Sequence, residues 1–336
     1  MEDRMSELTL QDQIKGVLYG NSVGDATGLG SEFMTKAEVA MNYPLGLRHY
    51  SQIIKDRHRQ RFGIGNWTDD TEQMLCILDS LVAEHRVIPV DIAKRIDYWA
   101  RNDGNGLGST VGAVIRSDNF LINPHEAARQ VWEKRGHKAA ANGGVMRTSV
   151  LGIWDFWDRE QVIKNAELAC KVTHYDPRCI ASCVAVCVAI SEILFHTLKK
   201  EEFTIDEIIK VAIEEGAKYD EGIRELPNLS LAELKLDEDH KIGFTYKATG
   251  AGFWALKHSK TFEDGIIDII NEGGDADTNG AVAGSMLGAK FGFNAIPKEW
   301  TELLQRERLE KKVNELYQVI FVVLSDLVII KSPSQS

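Results

Sequence analysis

Met74, Leu75, Ile77, Leu78, Leu81 and Val82 recur at spacings that fall on one broad face of a 3.6-residue helix, predicting a helix over 69–84. The same period, or a run of helix-forming residues between turn signals, predicts helices over 11–24, 90–101, 111–116, 124–135, 147–154, 160–172, 177–198 and 204–217. It resumes over 246–258, 262–270, 278–291 and 298–330, the last with room for a break. No stretch sustains the alternation of a strand, and no internal repeat is evident. Residues 36–64 are polar and irregular, with a basic run at 55–61 that reads as a solvated loop, and 219–242 reads as an acidic surface connection. No Pro/Gly/Ser-rich linker interrupts the series. The expected architecture is all-α, a compact multi-helix single domain over 11–330 with tails at 1–10 and 331–336.

Two of these helices share an unusual stripe. Gly16, Gly20 and Gly24 repeat every four residues in the first, and Gly280, Gly284, Gly288 and Gly292 do so near the end. A glycine inside a helix costs about 1 kcal/mol relative to alanine. The stripes therefore predict a compensating close approach of helix backbones, for which the missing side chains make room.

Composition narrows the setting. An apolar share of 44% can fill a sizeable core, and a formal charge of −11 with no lysine/arginine block argues against a nucleic-acid partner. Residues 1–10 are polar and lack the apolar core of a secretory leader. The apolar runs 180–190 and 319–330 are shorter than the ~20 residues a membrane span needs, so both predict buried helices and no membrane partner. Five cysteines, an odd number, speak against a disulfide framework. Cys179, Cys183 and Cys187 share one helix face as small buried hydrophobes, and a reduced, cytoplasmic protein is expected.

The candidate chemistry lies in loops that open into helices. Gly273-Gly274-Asp275-Ala276-Asp277-Thr278 places two carboxylates after a Gly-Gly turn, and Trp67-Thr68-Asp69-Asp70-Thr71 repeats the pairing of threonine with close acids. Each reads first as an acidic helix start, with Thr68 and Asp277 or Thr278 as caps. Their duplication suggests more: oxygen ligands for a hard cation, shared between two segments. Asp275-x-Asp277-x-Asn279-Gly280 also matches half of a calcium-binding loop, but its twelfth position is Met286 instead of glutamate. Gly24-Asp25-Ala26-Thr27-Gly28 leads to a glycine loop ending in Glu32. Gly104 to Ser109 is a second glycine-rich loop, without the P-loop lysine, whose backbone N–H groups suit an anion. Arg147, in Asn142-Gly143-Gly144-Val145-Met146-Arg147, is the chain's prime buried cation, expected in an ordinary ion pair, and His174 sits between two helices in Thr173-His174-Tyr175-Asp176-Pro177.

Taken together and in order, the motifs at 24–28, 67–71, 142–147, 173–177 and 273–278 resemble the ADP-ribosylglycohydrolase family, over roughly residues 11–292. The resemblance implies a compact all-α fold with a binuclear Mg²⁺ centre, Mn²⁺ being the alternative. It implies Thr68, Asp69, Asp70, Asp275, Asp277 and Thr278 as metal ligands. Glu32 stands where the serine-linkage branch carries a mobile acid, and Asp69, Asp70, Asp275 and Glu32 form the candidate catalytic set. Gly106, Gly108, Ser109, Asn142, Gly143, Met146 and His174 form the candidate substrate-binding set. The implied reaction is hydrolysis of the N- or O-glycosidic bond joining ADP-ribose to a protein side chain. Its partners would be an ADP-ribosylated protein or a small molecule containing ADP-ribose.

The glycine-rich sequence near Gly106 departs from the aspartate of arginine-specific bacterial members, so the scissile linkage stays open. Two other readings compete. One is a non-catalytic relative like the J1-crystallins, which would have no need of intact ligand positions. The other is a binuclear phosphoesterase, whose usual histidine-rich ligand set is absent.

Overall fold

Helix α1 (Leu10–Gly28) and the later helix Ala276–Phe291 run against one another with nothing but backbone between them. A Cβ added at Gly20 would lie 2.0 Å from the Gly284 carbonyl oxygen, and one at Gly24 1.9 Å from that of Gly280. Gly16 meets Gly288 in the same way, and Gly28 meets Ala276. The two glycine stripes are thus the two sides of one seam. The Gln13 amide adds a side-chain tie, donating to the Ala289 carbonyl at 2.8 Å.

The computed structural model describes residues 8–331, with side chains through 325, so both predicted tails lie largely outside the described residues. After α1 come α2 (Lys36–Asn42), α3 (Asp69–Glu84), α4 (Pro89–Asn102), α5 (Ser109–Ile115), α6 (Pro124–Lys134) and α7 (Arg159–Cys170). Then follow α8 (Pro177–Lys199), α9 (Ile205–Ala217), α10 (Leu231–Leu234), α11 (Thr245–His258), α12 (Phe262–Ile270), α13 (Ala276–Phe291) and α14 (Arg306–Lys331). Among the described residues there is no strand; one isolated bridge joins Ala141 to Phe244.

Helix α8 is long and apolar enough to cross a membrane, yet 89% of its most apolar window is buried inside the protein. It is a core helix, and Cys179, Cys183 and Cys187 are all buried along it as expected. A continuous apolar core runs from Ile14 and Val17 through Leu75 and Leu78 to Val184, Ile190, Phe253 and Ile266.

Four local expectations need correction. Residues 147–154 are two short 3₁₀ turns, Val145–Arg147 and Ser149–Gly152, not an α-helix. The region 36–64 contains α2, whose start is fixed by a capping box in which Thr35 and Glu38 satisfy each other's backbone N–H. Within the basic run Arg59 is buried: its Nε donates to the Gly30 carbonyl at 2.9 Å, and its guanidinium also reaches the Glu32 carbonyl and Asp56. Residues 219–242 form short helical turns whose Ile223, Leu226, Leu234 and Leu236 enter the core. Their apolar spacing is too short to show a period.

Because the seam has no side chain that can yield, Gly20→Ala and Gly284→Ala should each lower Tm by overpacking worth about 1–3 kcal/mol or more. Thermal melts check this; wild-type melting in both variants would show that the helices can part without loss.

Candidate functional site

Glu32, Asp69, Asp70, Asp275, Asp277 and Thr278 come together in one pocket of about 300 Å³. The same pocket is lined by Gly106, Gly108, Ser109, Asn142, Gly143, Met146 and His174, so every candidate residue but Thr68 reaches its wall. Thr68 lies just behind, its Oγ1 3.3 Å from Asp70 Oδ2 and 3.4 Å from Asp277 Oδ2. A larger open groove of about 1140 Å³ runs along the first half of α14, but it holds none of these residues.

Three elements deliver the acids. Asp275 and Asp277 stand at the start of α13, after Gly273 and Gly274, which adopt φ +71° and +74°. A Cβ on either would sit about 2.2 Å or less from the Met34 or Leu236 carbonyl. Phe33 N–H donates to the Gly274 carbonyl at 2.7 Å, and Gly274 N–H to the Met34 carbonyl at 2.8 Å. This exchange clamps the loop after α1 onto the turn before α13 and brings Glu32 beside Asp275 and Asp277. Single carboxylate oxygens of these three lie within 4.8 Å of one another. Asp69 and Asp70 arrive on the first turn of α3.

Neither helix start is capped as the sequence suggests. Thr68 makes no side-chain cap, and α13 starts at Ala276 with Asp275, two residues before Asp277, in the cap position, also without a capping bond. The exposed N–H groups of α3 are met instead by Asp25 of α1, a residue outside the predicted site. Its carboxylate accepts from Thr68 N at 2.9 Å, Thr71 N at 3.0 Å and Thr71 Oγ1 at 2.6 Å. With that role filled, Thr68 Oγ1 faces the acids. The half-match to a calcium loop also fails, since residues 276–291 are helical.

Neighbouring groups hold the acids in place. Asn142 Nδ2 donates to Asp275 Oδ2 at 2.8 Å, and Gln73 Nε2 to Asp69 Oδ2 at 2.9 Å. Glu32 Oε2 is 2.5 Å from His58 Nε2, and the His58 ring packs on Phe33, which is 58% exposed at the pocket mouth. His58, Phe33 and Gly243 also went unpredicted, having no local signal. Arg147 is fully buried but has no carboxylate partner among the described residues, contrary to the expected ion pair; it donates to Gln73 Oε1 and Thr173 Oγ1.

Burial and mutual repulsion push the Asp69, Asp70 and Asp277 carboxyls well above their ordinary range. Burial and Glu32 raise Asp275 to about 6, against the hydrogen bonds from Asn142 and Asp277. Burial likewise raises Asp25 to about 6. None of the pocket-lining residues is lysine or arginine. Asp70 Oδ1 is buried without a hydrogen-bond partner. A crowded set of hard oxygen donors, short of positive charge, fits a divalent cation such as Mg²⁺ or Mn²⁺.

The chain is similar to known proteins along nearly its whole length. The family profile "ADP-ribosylglycohydrolase" matches residues 6–323. The chain is 24% identical to ADP-ribosylarginine hydrolase Tri1 of Serratia proteamaculans, covering 91% of this chain and 79% of that protein. It is 25% identical to the ADP-ribosyl-[dinitrogen reductase] glycohydrolase of Rhodospirillum rubrum, covering 92% and 95%. Against ADP-ribosylhydrolase ARH3 of Danio rerio the identity is 26%, over 88% and 87%. Among solved structures, an "ADP-ribosylglycohydrolase-related protein complex" superposes with a TM-score of 0.70 at 26% identity, covering 92% of this chain and 98% of that one.

The raised acids carry a pH signature. Between the ordinary 3.8 and about 6, folded Asp275 keeps a proton that the unfolded chain has released, so rising pH through that window costs folded stability. In EDTA, Asp275→Asn should therefore gain Tm relative to wild type as pH rises from about 4 to 7. Adding Mg²⁺ at about 100 times its Kd should stabilise the wild type by roughly 2.7 kcal/mol per site, and Asp69→Asn less. Melts unmoved by Mg²⁺ and EDTA, with parallel pH curves, would contradict this account of the pocket.

Proposed function

The chain belongs to the ADP-ribosylglycohydrolase family, and from that premise we propose that it hydrolyses the glycosidic bond between ADP-ribose and a modified side chain or related acceptor. Membership makes it a glycohydrolase. The observation that carries the reading is the convergence of Glu32, Asp69, Asp70, Asp275 and Asp277, from three distant segments, in one pocket. A purely structural relative has no use for buried carboxylates that repel each other.

Thr68, Asp69, Asp70, Asp275, Asp277 and Thr278 would hold two divalent cations, Mg²⁺ or Mn²⁺. When bound, these would supply the positive charge that polarises substrate oxygens and lowers the pKa of a water. The chain's own groups do the rest. Glu32, beside Asp275 and near the mouth, is placed to take the proton of the attacking water as general base. The surrounding carboxylates favour the positive charge that develops at the anomeric carbon. Asn142 keeps Asp275 aimed, so one acid is spared reorganisation as charge builds. Backbone N–H groups around Gly108 and Ser109 suit a pyrophosphate. Phe33 offers an aromatic face to the acceptor side at the mouth. Five free thiols suit a reducing compartment such as the cytoplasm.

The relatives' names differ in acceptor, arginine in one and dinitrogen reductase in another. A panel of defined ADP-ribose linkages, assayed with Mg²⁺ and with EDTA, resolves which applies here. At least one linkage should be cleaved, and EDTA should abolish cleavage. Glu32→Gln should lower kcat by about 10²–10⁴ with the melting curve retained. No release from any linkage in the panel would overturn the proposal.

A further inference from the structure

Behind the pocket, one buried cation is wired to both of its walls. Arg147 Nη1 donates to Gln73 Oε1 at 2.6 Å, and Gln73 Nε2 donates onward to Asp69 Oδ2 at 2.9 Å. On the other side Arg147 Nη2 donates to Thr173 Oγ1 at 2.7 Å, and Thr173 Oγ1 is 2.8 Å from His174 Nδ1. Arg147 and Gln73 are fully buried, and Thr173 and His174 nearly so. Nε2 of His174, on the pocket wall, is buried with no hydrogen-bond partner.

The direction of each bond follows from what the groups carry. A guanidinium has donors only, so it must donate to both neighbours. Gln73 therefore turns its oxygen to Arg147, which leaves its NH₂ for Asp69. Thr173 accepts from Arg147 and has one hydroxyl proton to place. Among the described residues, His174 Nδ1 is the one acceptor that hydroxyl meets. A second bond accepted by Oγ1 from Nδ1–H would leave that buried hydroxyl proton unpaired, so the satisfied arrangement has Nδ1 bare and the ring proton on Nε2. Burial and the nearby Arg147 charge lower the His174 pKa to about 3, so the ring stays neutral at physiological pH.

We propose that Arg147 is a positioning residue for both halves of the site. Through Thr173 it fixes His174 as the Nε2–H tautomer, and through Gln73 it aims the Asp69 carboxylate. His174 then meets the ligand as a hydrogen-bond donor, directed at an acceptor oxygen or ring nitrogen, and cannot ligate a metal. The orphaned Nε2 is the donor awaiting that acceptor. In naming the ligand as ADP-ribose this rests on the function proposed above; the tautomer does not.

The test is ¹⁵N NMR of the histidine-labelled full chain, with His174 assigned by its loss in His174→Gln. In the wild type, Nδ1 should resonate as an unprotonated ring nitrogen and Nε2 as a protonated one. Thr173→Val should abolish that preference, and Thr173→Ser should restore it. Thr173→Val should weaken ADP-ribose binding severalfold while leaving the Mg²⁺ Kd unchanged. Gln73→Met should do the reverse, raising the Mg²⁺ Kd roughly tenfold or more. A wild-type proton on Nδ1, or the wild-type tautomer in Thr173→Val, overturns the proposal, and the wild-type spectrum decides even if a variant fails to fold. If ADP-ribose does not bind the wild type, the functional reading fails while the ring spectrum still judges the tautomer.

Discussion

The site depends on a contact between two helix backbones. Where α1 and α13 touch through glycine, their separation is set by peptide groups, which do not compress or change rotamer. That fixes where α1 ends relative to where α13 begins. The loop carrying Glu32 and the turn carrying Asp275 are thereby neighbours, and two backbone hydrogen bonds close the gap between them. One turn back along α1, Asp25 reaches the start of α3 and brings Asp69 and Asp70 to the same corner. Three segments drawn from opposite ends of the chain are positioned by one rigid seam.

The buried acids divide into two kinds that are alike in how little solvent reaches them. Asp25 is wholly enclosed, but its oxygens are met by backbone and hydroxyl donors of α3, so it serves as a cap supplied from another helix. Asp70 is equally enclosed, yet one of its oxygens meets no donor. The fold could have relieved the second kind with a lysine or arginine, and Arg147 already reaches the neighbouring Asp69 through Gln73. Instead the cation is kept one residue away. Strain of this sort persists at functional sites because the surrounding structure over-determines it.

What could be read from the sequence follows the range of each interaction. Helices such as α3 and α9 were legible because their signal is a period within one segment. The seam was legible for a similar reason: four-residue glycine spacing is local, even though the contact it predicts is not. The acid pairs at Asp69 and Asp275 stood out by their repetition. Asp25 as the cap of α3, Arg59 inside the basic run, and Arg147 bonded to neutral groups were not legible. Each is defined by partners tens of residues away, and no spacing rule marks a single charged residue as buried. Residues 219–242 were misread because their four core side chains are spread over turns too short to establish a period.

The seam also limits how the chain can be recombined with its relatives. In a helix pair joined by side chains, a foreign helix can be accommodated by repacking. Here the carbonyls of Gly16, Gly20 and Gly24 are matched in register to the bare Cα positions of Gly288, Gly284 and Gly280, and a single methyl added there collides with backbone. The two helices are therefore a single unit of inheritance despite being about 250 residues apart in the chain. A chimera with a protein as distant as those at 24–26% identity must carry both together, together with the Glu32 loop and the Gly-Gly turn they bring into register.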